Sequence, residues 1–262
     1  GADGDPDGDG QTNLAEYIAG TDAQDAGSAL GIASVSVNDA DGEPVRGGGL
    51  RVANQTLEVW DCIISNNVAS RGSASFGGCF KRCLVTANTT SNNGTFRDAR
   101  AENSLSVSNT GNWAFAFNGN LLYSCTVSGQ SNGGLSSQVR AYNSIIYGNS
   151  GSDVENGVIL TNCLTSGAVP RPGLGTLAGA PRFVNAAAGD YRLRADSPCV
   201  DAGSLAYVAL PEGTDFAGAP RVQGGGVNMG ALESAVSVVT ATSTSGGAIT
   251  PEGTLLFTGD LT

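Results

Sequence analysis

The first residues with a clear chemical pattern are oxygen-bearing side chains near the start of the chain. They occur in the order Asp5, Asp7, Asp9, Gln11 and Glu16. Ca²⁺ takes about six to eight oxygen ligands, and three carboxylates, a backbone carbonyl at Gln11 and a bidentate glutamate supply most of them. Gly10 stands where such a loop turns sharply. The spacing therefore predicts a Ca²⁺ site, followed by a short helix that begins near Thr12 and ends by Gly20.

A second group with binding potential is a set of aromatic residues at equivalent places. Trp60, Tyr123 and Tyr142 each stand two positions before a small residue that recurs along the chain. Elsewhere the same position holds Lys81, Glu102 and Thr161. We expect this position to face solvent, where the three rings could stack sugar rings and bind a glycan. Aromatic residues also favour strands for ordinary packing reasons, so the sequence leaves both interpretations open.

A third group could support cleavage of acidic polysaccharides. Its members are Arg97, Asp98, Arg100, Arg140, Asp153 and Glu155. A lyase needs grouped carboxylates that hold Ca²⁺ and a base that removes a proton. These residues form no aligned columns, and the chain contains no histidine, the commonest general base. The sequence therefore leans against an enzyme, with a polysaccharide lyase or glycosidase kept as an alternative.

The elements that must position these residues form a repeat. A small residue recurs at intervals of 21, 21, 21, 19 and 19, at Cys62, Cys83, Ser104, Cys125, Ser144 and Cys163. Five residues later a polar column follows: Asn67, Asn88, Asn109, Gln130, Asn149 and then Ala168. This period and composition predict a β-solenoid whose equivalent positions stack about 4.8 Å apart. The small column should face the core. The asparagines should occupy a bend, because they tolerate left-handed backbone or bond to neighbouring groups.

Composition limits the classes of partner. The 262 residues carry a formal charge of −11, which argues against nucleic acid and is compatible with Ca²⁺ or a saline exterior. No apolar run has the length of a membrane span. The chain opens at Gly1 without an initiator methionine, as a processed product or an excised piece would. Buried free thiols are favoured for the repeated cysteines, and Cys79 and Cys199 are the better candidates for disulfides.

Three stretches also resemble known families. The repeat resembles the right-handed parallel β-helix of pectate-lyase-like and bacterial surface proteins. The segment from Asp190 to Glu233 is similar to the C-terminal end of such proteins, with Asn228 in place of the usual Asp and Leu232 in place of Tyr. That resemblance implies cap loops, which we expect to be tied by bonds among Asp201, Asp215, Arg221 and Glu233. The first 28 residues fit the EF-hand loop template and resemble dockerin and thrombospondin type 3-like calcium repeats. This implies a second ion at Asp3, Asp22 or Asp25.

The sequence thus predicts an all-β chain in three parts. Residues 1–28 form an EF-hand-like calcium loop and helix, 29–234 a right-handed single-stranded parallel β-helix with cap loops, and 235–262 a β-rich tail or the start of a β-sandwich repeat. The predicted function is that of a secreted or cell-surface structural or adhesive protein stabilised by Ca²⁺. Expected partners are copies of itself, other surface proteins or a polysaccharide. The chain could therefore be a fibre subunit whose tail pairs in trans, or a polysaccharide-binding module, and the sequence leaves both possibilities open.

Overall fold

The computed structural model describes residues 47–51, 56–116, 119–167, 173–208, 213–223 and 225–233, with the backbone of strands 235–241 and 253–258. In chain order the strands are β1 (Leu50–Arg51), β2 (Glu58–Trp60), β3 (Ile63–Ser65), β4 (Val68–Ala69), β5 (Ser75–Phe76), β6 (Cys79–Lys81), β7 (Leu84–Thr86), β8 (Thr89–Thr90), β9 (Phe96–Arg97), β10 (Arg100–Glu102), β11 (Leu105–Val107), β12 (Trp113–Ala116), β13 (Leu121–Tyr123), β14 (Thr126–Ser128), β15 (Gly133–Leu135), β16 (Arg140–Tyr142), β17 (Ile145–Tyr147), β18 (Ile159–Thr161), β19 (Leu164–Thr165), β20 (Leu177–Ala178), β21 (Phe183–Asn185), β22 (Asp190–Arg194), β23 (Ala235–Ala241) and β24 (Gly253–Thr258). Two short 3-10 helices span Ala186–Ala188 and Leu205–Tyr207.

Strands β1 to β20 build a parallel β-solenoid of about five turns, which confirms the predicted fold class. Three long parallel sheets run along it. Sheet I has the order β1-β5-β9-β12-β15, sheet II the order β18-β16-β13-β10-β6-β2, and sheet III the order β20-β19-β17-β14-β11-β7-β3. Strands β4 and β8 form a short fourth sheet. The predicted calcium loop and its helix lie outside the described residues.

The core lies between the three sheets, because alternate residues of each strand point inward. The central residues of the sheet II strands are all buried: Val59, Phe80, Ala101, Leu122, Ala141 and Leu160. Phe96 stacks on Phe115 at 4.6 Å between ring centroids and contacts Phe80 at 5.0 Å. The small column predicted to face the core is buried in every turn, from Cys62 to Cys163.

The corners repeat as regularly as the strands. The residue before each small column residue has a positive φ, between 48° and 52°, at Asp61, Arg82, Asn103, Ser124, Asn143 and Asn162. The residue before each polar column residue does so too, for example Asn66 and Ala87. The left-handed residue is therefore the one before Asn67 and Asn88, and these asparagines serve through their side-chain amides.

Those amides bond from one turn to the next. Asn67 Nδ2 donates to Asn88 Oδ1, and Asn88 Nδ2 donates to Asn109 Oδ1, each at 3.0 Å. The column ends at Asn149, whose Nδ2 donates to Asp153 Oδ1 at 2.9 Å. The amides thereby join adjacent turns, although Asn67 Oδ1, at the start of the described column, is buried without a hydrogen-bond partner.

The C-terminal segment covers the outer face of sheet III. Backbone N–H of Ala231 donates to Thr126 Oγ1 at 3.1 Å. Apolar side chains of the segment pack on the sheet in two clusters, which include Tyr191, Phe216 and Leu232 in one and Leu193, Cys199 and Met229 in the other. The segment also forms a cap sheet of order β21-β22-β23-β24. Strand β23 pairs in parallel with β22 of the same chain, so part of the tail has a partner in cis.

All six cysteines are buried free thiols. The expectation that Cys79 and Cys199 are the better disulfide candidates is therefore wrong for this structure. Cys79 begins a sheet II strand near Glu102, and Cys199 packs with Leu193 and Met229 on sheet III. Neither forms a bridge to another cysteine.

Candidate functional site

The outer face of sheet II carries most of the residues that the sequence singled out. Its strands have three residues with the middle one inward, so the first and third point outward. The third positions form one column in register: Trp60, Lys81, Glu102, Tyr123, Tyr142 and Thr161. The first positions form a second: Glu58, Cys79, Arg100, Leu121, Arg140 and Ile159. The predicted column therefore exists.

The expectation that this column faces solvent is wrong for its central residues. Lys81 is 8 % exposed and Glu102 only 3 %. Turns are about 4.8 Å apart, so large side chains in one column cover one another. Lys81 Nζ lies 2.9 Å from Glu58 Oε1 and 4.3 Å from the ring centre of Trp60. Glu102 is ion-paired with Arg100.

The tyrosines of the column stack on each other and on a residue from the C-terminal segment. The ring centroids of Tyr123 and Tyr142 are 5.0 Å apart, and those of Tyr142 and Tyr207 are 4.6 Å apart. Ser204 holds this arrangement, because its N–H donates to Asn143 Oδ1 at 2.8 Å and its carbonyl accepts from Asn143 Nδ2 at 2.9 Å. Both faces of Tyr142 are therefore covered.

Trp60 lies apart from the two tyrosines, although it belongs to the same column. Lys81 and Glu102 separate it from Tyr123. Its indole Nε1 donates to Glu58 Oε2 at 3.1 Å. Contact with Lys81 also lowers the pKa of the Glu58 carboxyl. The structure thus brings Tyr123 and Tyr142 together and leaves Trp60 with charged neighbours.

A groove opens beside the tyrosines at the start of the sheet II strands. Its volume is ≈ 490 Å³, and its lining includes Leu121, Gln138, Arg140 and Ile159. Arg140 and Ile159 are exposed, so the groove presents one cation on a partly apolar floor. Within the described part of the chain, Arg140 forms no ion pair. This arrangement can hold a ligand with an anionic group and an apolar face.

The residues considered for polysaccharide cleavage do not come together. Arg97 lies on the outer face of sheet I, whereas Arg100 lies on that of sheet II. Asp98 occupies the left-handed corner between them, with φ 53°. Asp153 Oδ1 accepts from Asn149, and Glu155 Oε2 accepts from the N–H of Ser137 at 2.8 Å. Both carboxylates thereby hold turns of the solenoid.

Burial also makes four of the six thiols poor nucleophiles. It raises the pKa of Cys79 to about 11 and that of Cys125, Cys163 and Cys199 to about 12. A thiol is reactive as the thiolate, which these values disfavour near neutral pH.

The cap residues form the structural network that was expected. Arg221, which is 1 % exposed, places Nε 3.0 Å from Glu233 Oε1 and donates through Nη2 to the carbonyls of Asn228 and Gly230. Asp215 Oδ2 accepts from the N–H of Glu233 at 2.7 Å. Asp201 joins only through its N–H, which donates to Asn228 Oδ1 at 2.9 Å.

We expect this network to be sensitive to pH. Burial raises the pKa of Glu233 to about 7 and raises that of Asp215. Between the unfolded and folded values, the native protein binds a proton that the unfolded chain has released. The stability contribution of Glu233 is therefore complete at low pH and declines as the pH rises through about 7.

Denaturant unfolding of the wild type and Glu233→Gln, measured from pH 4 to pH 8, checks this expectation. The variant carries a permanently neutral side chain, and the difference between the two proteins removes the effects of all other groups. The stability of the wild type relative to the variant should fall with rising pH, by roughly 1–3 kcal/mol. A constant difference would contradict the raised pKa.

Sequence reasoning did not anticipate Tyr207, the third ring of the stack, and it considered Asp153 for polysaccharide cleavage rather than as the acceptor for Asn149 at the end of the asparagine column. Neither lies in the repeated columns. The predicted calcium ligands Asp5, Asp7, Asp9, Gln11 and Glu16 lie outside the described residues. Among the residues that are described, no group of three or more Cys, Asp or Glu side chains could hold a metal ion. Nor does that part of the chain contain a helix long and apolar enough to cross a membrane.

The fold places the chain in the class of all-β parallel β-solenoid proteins. Comparison with known protein families and with curated proteins finds no match for this sequence.

Proposed function

We propose that the chain is the rigid β-helical part of a secreted or cell-surface structural or adhesive protein, stabilised by Ca²⁺ at its N-terminal loop. One observation supports the proposal: the polar and aromatic side chains that could serve binding or catalysis instead contact one another along the solenoid. The asparagine column joins its turns, the tyrosines stack between turns, and the Arg221 network fastens the cap. Such use of polar and aromatic groups stiffens a rod.

The pairing of β23 with β22 bears on self-assembly. A tail strand that pairs in cis needs no neighbouring subunit, which favours a single rod over a fibre built by strand donation. Strand β24 pairs with β23 as a hairpin. The adhesive or structural role is therefore assigned to the single rod. Formation of a fibre would be visible in the microscopy described below.

Calcium binding is tested by calorimetry on the whole chain. We expect saturable heat from at least one Ca²⁺ site, lost in Glu16→Gln because the bidentate ligand is removed. Asp196→Asn is the matched control, since its carboxylate is exposed and pairs with Arg182 far along the chain. Absence of heat, together with absence of metal by elemental analysis, would refute the calcium assignment.

The rod is tested by light scattering and electron microscopy with and without a chelator. A single elongated particle in both conditions supports the proposal, and loss of stability on chelation supports the role of Ca²⁺. Release of unsaturated products from polygalacturonate or alginate would instead assign an enzyme. Long filaments that persist after deletion of residues 236–262 would exclude strand donation as their cause.

The groove at Arg140 favours a second candidate, binding of an acidic polysaccharide. Binding through the flat faces of the tyrosines is disfavoured, because Tyr142 is covered on both sides. The groove instead offers Arg140 to a carboxylate beside Leu121 and Ile159. Affinity for oligogalacturonate should fall about tenfold or more in Arg140→Ala, the loss of one charge-assisted hydrogen bond, and stay unchanged in Arg194→Ala on the cap. Equal loss in both variants would indicate non-specific attraction.

A further inference from the structure

The outer face of sheet I holds a cluster of arginines that neither proposed function uses. The register of β1, β5 and β9 places Arg51, Phe76 and Arg97 in one outward column. Arg71 comes from the turn before β5, and Asn93 from the turn before β9. In a chain of formal charge −11 with 13 lysines and arginines, three arginines at one place form a local concentration of positive charge.

Two of these arginines converge on one neutral oxygen. With its side-chain amide oriented to satisfy both donors, Asn93 Oδ1 accepts from Arg71 Nε at 3.1 Å and from Arg97 Nη1 at 2.9 Å. Because both distances end at the same oxygen, the two donor nitrogens are at most about 6 Å apart. Asn93 is 8 % exposed, so its amide is largely shielded from solvent. An amide oxygen accepts both hydrogen bonds but offsets neither charge, and two guanidinium groups this close repel each other.

The two arginines differ in their contacts with charged groups among the described residues. Arg97 Nε lies 3.5 Å from Asp98 Oδ2, and its guanidinium carbon is 5.5 Å from the ring centre of Phe76. Arg71 forms no ion pair with a carboxylate among the residues that the structure describes. Within the described residues, Arg71 therefore has a neutral amide oxygen, and no carboxylate, as its acceptor.

We propose that Arg71, Arg97 and Asn93 form a binding site for an oxyanion, namely a carboxylate, sulfate or phosphate group. Guanidinium forks match the geometry of these groups and bind them with two parallel hydrogen bonds. The oxygens of the anion take the place of Asn93 Oδ1 between the two arginines. Asn93 then turns its amide, so that Nδ2 donates to the anion. Arg51 and Phe76 border the site in the outward column.

The same oxyanion chemistry belongs to free inorganic ions and to acidic sugars, and three titrations distinguish the sources. The whole chain is titrated at low ionic strength with sodium phosphate, sodium sulfate and galacturonate, with sodium chloride as the reference. Saturable binding of phosphate or sulfate alone identifies a tetrahedral anion. Equal or tighter binding of galacturonate identifies the carboxylate of an acidic sugar. The site lies on a different sheet from the groove at Arg140, so it stands or fails independently of the glycan-binding candidate.

Substitution locates the binding. We expect affinity to fall at least tenfold in Arg71→Gln and in Arg97→Gln, and to remain unchanged in Arg194→Gln, which removes an exposed arginine from the cap. The side-chain amide signal of Asn93 should shift with the same saturation curve in the wild type. Arg71 lies in a half-buried turn, so Arg71→Gln keeps the test decisive if Arg97→Gln does not fold. No saturable binding of any of the three anions, or equal weakening in Arg194→Gln, would overturn the proposal.

Discussion

Replacement of Cys83 by aspartate is expected to lower the free energy of unfolding by about 3 kcal/mol or more. The thiol is fully buried between the turns, and its single S–H has two acceptors in reach, the carbonyl oxygens of Val59 at 3.4 Å and Lys81 at 3.3 Å. A carboxylate at this point would face two carbonyl oxygens, which cannot donate to it. It would either remain as an unpaired buried charge or take up a proton at a similar cost. Chemical denaturation monitored by circular dichroism measures the change.

The matched control is Val68→Asp, because Val68 is 72 % exposed on a short strand one corner away. Its effect should be within about 0.5 kcal/mol. Lys81, two residues before Cys83, is unsuitable as a neutral control, since it is buried and ion-paired with Glu58. Similar losses in Cys83→Asp and Val68→Asp would contradict the inward orientation of the cysteine and serine column.

Replacement of Arg221 by leucine is the second change with a large expected effect, a loss of about 3–5 kcal/mol. Arg221 is buried, and its removal leaves the carboxylate of Glu233 without its cation. It also leaves the carbonyls of Asn228 and Gly230 without a donor. Because these residues hold the cap on sheet III, the cap should loosen first. Hydrogen exchange of residues 213–233, with thermal unfolding, measures both effects.

Two further variants make this prediction specific. Arg182→Leu removes an arginine whose partner Asp196 is as exposed as itself, so the loss should stay below about 1 kcal/mol. Arg221→Leu combined with Glu233→Gln should recover part of the stability, because no charge then stays buried alone. If the double substitution were as damaging as the sum of both single ones, the ion pair would not be the reason for the loss.

The sequence by itself determined the solenoid, because a stacked coil repeats its chemistry at every turn. A buried column is indicated by the spacing of Cys62, Cys83 and Ser104. A ladder of side-chain amides is indicated by the spacing of Asn67 and Asn88. Each contact joins residues one repeat apart, so the length of the repeat specifies which residues of neighbouring strands are paired. The cap network at Arg221 and Glu233 was also foreseen, though from a resemblance.

The tertiary structure alone decided which outward groups remain accessible. Tyr142 is covered because Tyr207, 65 positions further along, is brought over it by the bonds between Ser204 and Asn143. Arg97 and Arg100 are near neighbours in sequence, yet the corner at Asp98 turns them onto different sheets. Arg71 and Arg97 meet at Asn93 only because one turn of the coil stacks on the next. The repeat specifies which column a residue belongs to. Side-chain size, corner geometry and the path of the C-terminal segment specify which other residues contact that column.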